Sequence, residues 1–183
     1  MMNVDPYIVG IMYGDGSISK RKDGAYAVWI DQTERNRPIV EHLIPKLQQL
    51  GHKVYSYRYF AKADNVWKYR ALVYSKELYS DLKSKFAKIV TYFEGLSDDE
   101  AKEFIAGFMD AEGTVTDRVV IYNGNRALLE AIQRRLESIG IQYTYIYKFG
   151  TIDGLQIYRR QSREKFTSAI ASVKLRSNKK MNR

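Results

Sequence analysis

Two acidic residues in this chain share a setting that is unusual for a carboxylate. Asp15 stands in the stretch IVGIMYGDGSIS, and Glu112 occupies the same place in IAGFMDAEGTVT, 97 residues further on. Each acid follows an apolar run, precedes a glycine and leads into polar-apolar-polar alternation. If each run is a helix ending at its acid, the negative end of the helix dipole opposes ionisation, and a second carboxylate alongside opposes it further. A divalent cation reverses that balance. Hard oxygen ligands suit Mg²⁺, with Mn²⁺ as a substitute, and two adjacent carboxylates leave coordination positions for water and phosphate oxygens. The chemistry implied is metal-assisted phosphodiester hydrolysis, with Asp15 and Glu112 as metal ligands.

For the acids to meet, their helices must lie close together. Gly10 and Gly14 are four apart on one helix face, as are Gly107 and Ala111, and residues this small let two backbones approach. A single copy of the pattern reads more readily as a helix end with a glycine turn. Two copies in frame point instead to a shared centre.

The repeat extends beyond the acids. Apolar residues recur at helical spacing after Asn36 (Ile39, Val40, Leu43, Leu47, Leu50) and after Asn125 (Leu128, Leu129, Ile132, Leu136, Ile139), and each run stops at a glycine, Gly51 or Gly140. Tyrosine-rich alternation over 53–60 and 142–149 predicts strands, with partners over 66–75 and 152–159, and amphipathic helices close the units over 76–93 and 162–175. Ser97 and Glu100 have capping-box spacing at the start of the second motif helix. The expected organisation is a first repeat over 1–94, a linker over 95–99 and a second repeat with a basic tail over 100–183.

Composition bounds the function. The 183 residues carry a net charge of +9, and the excess is divided almost evenly between the halves, so a phosphate-bearing partner fits better than a small metabolite. Cysteine is absent, which excludes disulfides and thiolate metal sites. The N-terminus lacks the features of a signal peptide and no run has membrane-spanning length, so the expectation is an intracellular, soluble monomer with no membrane partner, in the cytoplasm or nucleoid of a prokaryote or in an organelle.

With both motifs in place, the sequence resembles the two-motif LAGLIDADG homing endonucleases over nearly its whole length. The resemblance implies an α+β fold of two pseudo-symmetric αββαββα repeats, with paired motif helices at the interface and antiparallel sheets forming a DNA-binding saddle. It also implies a site-specific enzyme that cuts both strands of a long asymmetric intron-insertion site and leaves short 3′ overhangs. The motif acids map to Asp15 and Glu112. A Gln or Asn at the end of a sheet strand maps to Gln32 and Asn123, as organisers of water around the scissile phosphates. The lysine that follows in some relatives is replaced here by Thr33 and Gly124. Lys76, Arg159 or Arg160 are the candidates to supply that charge.

Two-stranded ribbons fit the major groove, with alternate residues reaching bases and phosphates. The DNA-binding candidates are Ser17, Ser19, Lys20, Arg21, Lys22, Arg58, Lys68 and Arg70 in the first repeat, and Thr114, Thr116, Arg118, Lys148 and Arg159 in the second. The tyrosines at 55, 57, 59, 143, 145 and 147 are expected to pack against helices. The basic tail from Lys174 to Arg183 reads as a solvated terminus or a nucleic-acid contact. The alternatives are an RNA maturase that binds intron RNA, or a non-cleaving DNA-binding protein.

Overall fold

The computed structural model describes residues 3–181. Asp5 starts the first helix, α1 (Pro6–Gly14), by accepting a 2.8 Å hydrogen bond from the Tyr7 amide. A hairpin follows, β1 (Gly16–Lys20) and β2 (Tyr26–Thr33), then a 3₁₀ turn and α2 (Arg37–Gln49). A second hairpin, β3 (Val54–Ala61) and β4 (Val66–Tyr74), leads to α3 (Lys76–Ala87) and α4 (Ile89–Glu94). The second repeat has the same order: α5 (Asp98–Glu112), β5 (Gly113–Val115), β6 (Val119–Asn123), α6 (Arg126–Ser138), β7 (Thr144–Phe149), β8 (Ile152–Ile157), α7 (Arg160–Ala169) and α8 (Val173–Met181).

Each repeat makes one antiparallel sheet, ordered β1-β2-β4-β3 and β5-β6-β8-β7. Side chains alternate across each sheet. Val28, Ile30, Ala71 and Val73 bury one face of the first sheet, while Val119, Ile121, Leu155 and Ile157 bury the equivalent face of the second. The fold is therefore the expected pair of αββαββα repeats.

Two helices differ from their expected extents. The run over 76–93 breaks at Lys88, and the run over 162–175 breaks between Ala169 and Val173. The breaks let the last helix of each repeat reach its neighbour: α4 packs against α6 and α8 against α2. Within α5, Ser97 and Glu100 form the capping box, with the Ser97 amide donating to Glu100 Oε2 at 2.9 Å.

The two motif helices form the spine. Along α1, Tyr7, Ile8, Val9, Ile11 and Met12 are buried, as are Phe104, Ile105, Phe108 and Met109 along α5. The glycines set their separation. A Cβ on Gly10 would lie 2.2 Å from the Phe104 carbonyl oxygen, and one on Gly107 would lie 2.1 Å from that of Tyr7. No rotamer change relieves a clash with backbone. Gly107→Ala is expected to destabilise the fold by about 3 kcal/mol or more, whereas Gly124→Ala, in open space, stays within about 0.5 kcal/mol. Denaturant midpoints of the two variants check the difference.

Candidate active site

Because the spine helices approach so closely, they end side by side. A Cβ on Gly14 would sit 2.5 Å from Ala111 Cβ and 2.9 Å from Glu112 Cγ, so the missing side chain makes room for the second acid beside Asp15. Each acid is held by a carboxamide from a strand end. Gln32, near the end of β2, donates through Nε2 to Asp15 Oδ2 and accepts from Asn36 Nδ2 at 3.3 Å. Asn123, the last residue of β6, donates through Nδ2 to Glu112 Oε1 at 3.0 Å and accepts from the Asn125 amide at 2.8 Å. The second bond in each case fixes which end of the amide faces the acid.

Asp15 stays open to solvent on one side while protein crowds the others. That crowding raises its pKa, opposed by the Gln32 hydrogen bond and the Lys174 charge. Burial, then repulsion from Asp15, raises that of Glu112, against the pull of Asn123 and Lys174. Among the described residues no three histidine, aspartate or glutamate side chains converge on a metal position. The donor set is thus two carboxylates, each with one oxygen tied to an amide. It suits a hard cation that takes its remaining ligands from water, backbone or substrate oxygens.

Lys174 is the residue that sequence reasoning missed at this centre. Its Nζ donates to the carbonyls of Ala111 at 3.0 Å and Gly113 at 2.9 Å, on either side of Glu112. Burial lowers its pKa, opposed by Asp15, Asp110 and Glu112. The cations expected in this role lie elsewhere. Lys76 sits over the ring of Tyr26, at the start of β2, roughly 20 Å along the strand from Gln32. Arg159 stacks on Tyr143 at 3.8 Å, beyond the end of β8 that pairs with Val119 and so away from Asn123. Arg160 is exposed and bonded to Glu164. The matching of strand ends failed because each hairpin reverses direction, which sends β4 and β8 away from the acids.

Register also sorts the DNA-binding candidates. Ser17, Ser19, Lys68 and Arg70 share the open face of the first sheet, and Thr114 that of the second. Lys20, Arg58 and Lys148 fall on the opposite, helix-side faces: Lys20 over Tyr26, Arg58 over Trp67 and Lys148 beside Asp153. Arg21 and Lys22 occupy the exposed β1–β2 turn, and Thr116 and Arg118 the β5–β6 turn.

The tyrosines run counter to expectation. Tyr55 and Tyr57 are 43% and 42% exposed, and Tyr143 and Tyr145 are 37% and 42% exposed. On β3 the rings face outward with Arg70, which pairs bidentately with Asp31 and reaches the hydroxyls of Tyr57 and Tyr59. The tyrosines lie on edge strands and alternate with the residues that meet the core, such as Val54 and Ile146. They are components of the open faces.

The LAGLIDADG-like domain family matches residues 99–171. The homing endonuclease I-DmoI of Desulfurococcus mucosus is 33% identical over 148 residues, spanning 77% of this chain and 73% of that one. This chain belongs to the LAGLIDADG homing endonuclease family. I-DmoI in complex with DNA and Mn has a TM-score of 0.70 at 28% identity, covering 92% of this chain and 96% of that one. Its complex with DNA and Ca has a TM-score of 0.71 at 30% identity, covering 94% and 91%. The two-motif plan of the family accounts for the twofold arrangement of Asp15 with Gln32 and Glu112 with Asn123.

The raised pKa values set a pH dependence. Since the native state favours the protonated acids, their contribution to stability is full below the ordinary carboxylate range and declines as pH rises through the raised values. Asp15→Asn is therefore expected to raise the thermal midpoint of the protein in EDTA near neutral pH. That gain should vanish below about pH 4, as a pH series of melting curves would show.

Proposed function

We propose that this LAGLIDADG protein is a site-specific endonuclease that hydrolyses phosphodiesters in both strands of double-stranded DNA at a long asymmetric site. The observation that carries the reading is the pairing of Asp15 and Glu112 at the ends of two abutting helices, each held by a strand-end carboxamide. Likeness to I-DmoI, whose structures contain DNA with Mn or Ca, supports the substrate and a divalent cation. Mg²⁺ is the ion we infer for this chain, on the hardness of its oxygen donors.

Asp15 and Glu112 would hold the cation, which supplies Lewis acidity at the phosphate and lowers the pKa of water. Gln32 and Asn123 fix the orientation of the two carboxylates. The open sheet faces bind the duplex on either side, and their unlike residues read unlike half-sites. An intron-insertion site and short 3′ overhangs complete the proposal, with a single chain as the active unit.

Targets are first selected from a genomic or randomised DNA library incubated with the protein and Mg²⁺. On the selected duplex, Asp15→Asn and Glu112→Gln should each lose at least about a hundredfold in cleavage rate. Binding measured in Ca²⁺ should persist. Wild-type cutting by both variants removes the assignment, and RNA binding without DNA cleavage favours the maturase.

A further inference from the structure

The acid centre has a cation of its own, delivered by the C-terminal helix. Asp110 in α5 is fully buried and accepts four hydrogen bonds: from Tyr7 Oη at 2.8 Å, Ser172 Oγ at 2.7 Å, and the amides of Val173 at 3.0 Å and Lys174 at 2.9 Å. Three of those donors belong to the start of α8. A carboxylate bound to the first amides of a helix both caps it and complements its dipole. Ser172 adds its own cap by accepting from the Leu175 amide at 3.3 Å. The anchor holds α8 at the lysine's own backbone amide, and the lysine side chain reaches back over the end of α5 to the carbonyls that flank Glu112.

An ammonium has three donors and no acceptor, and here it meets the oxygen-rich surroundings that a hard metal ion would choose. Its charge acts on Asp15, Asp110 and Glu112 together. The first repeat has no such anchor, because Tyr13 stands where Asp110 does and packs edge-on against Phe86. One lysine therefore serves both acids, from the side of the second repeat.

We propose that Lys174 is a positioning residue of the acid centre: its ammonium holds the Ala111–Gly113 backbone and supplies the counter-charge that keeps Asp15 and Glu112 side by side until a divalent cation binds. This rests on the reading of the two acids as metal ligands. Lysine and metal then do partly the same electrostatic work. Without the lysine, the fold depends more heavily on the metal.

The test compares wild type, Lys174→Met and Lys174→Arg as full chains, by thermal midpoint in EDTA and in Mn²⁺ without DNA. Lys174→Met should melt lower than wild type in EDTA and recover most of the loss in Mn²⁺, so that its metal-induced rise exceeds that of wild type. Lys174→Arg, which keeps the charge, should follow wild type. Cleavage by Lys174→Met should fall about a hundredfold while binding in Ca²⁺ is retained.

An equal loss with and without metal, or no loss at all, overturns the proposal. So does a Lys174→Arg response like that of Lys174→Met, which would assign the effect to shape. Asp15→Asn and Glu112→Gln separate the two readings. If they abolish the metal-induced rise while Lys174→Met matches wild type, only the lysine proposal fails; if they leave the rise intact, the metal assignment itself fails.

Discussion

The contact between two helix backbones at Gly10 and Gly107 governs the rest of this molecule. Each glycine faces a carbonyl and an amide of the opposing helix, at distances no side chain tolerates. The two contacts are reciprocal, Gly10 against Phe104 and Phe108, Gly107 against Tyr7 and Ile11. Such an arrangement fixes both the spacing and the stagger of the helices. It is the stagger that brings Asp15 level with Glu112. The geometry of the acid pair is a by-product of helix packing, with strand ends adding the amides that steady it.

Repetition made most of this legible in the sequence. A lone GDG after an apolar run says little, but the second copy revealed the helix ends and the pairing of the two motif helices at once. What stayed hidden depended on information that periodicity does not carry. Strand phase is one case: Lys20, Arg58 and Lys148 are basic and lie in alternating runs, yet shifting the reading by one residue moves each to the other face. The tyrosines are another, because a ring on an edge strand can cover a core or project from it with the same spacing. Lys174 was hidden for a different reason. Its place follows from a helix break after Ala169 and a bond to the buried Asp110, a contact across 64 residues that no local pattern announces.

The two open faces are chemically unlike. The first presents Lys68 and Arg70 with Asp31 among its tyrosines. The outward strand positions of the second carry Thr114, Val120, Tyr122, Tyr145, Tyr147 and Gln156, without an ionisable acid or base among them except the phenols. Hydroxyl contacts knit that surface together, Tyr145 to Gln156 at 3.0 Å and Tyr122 to Tyr147 at 3.2 Å. The first face is built from ion pairs, Lys68 with Asp64 and Arg70 with Asp31, and the second from hydroxyl and amide hydrogen bonds. A near-symmetric scaffold thereby presents two dissimilar surfaces.

The exchange of terminal helices has a bearing on how such a protein can evolve or be rebuilt. α4 rests on α6 of the second repeat, while α8 lies between the halves, against α5 and β5 of its own repeat and α2 of the first. Recombining halves from two relatives means transplanting a laced pair of surfaces, and a junction placed at the linker alone leaves α4 and α8 facing strangers.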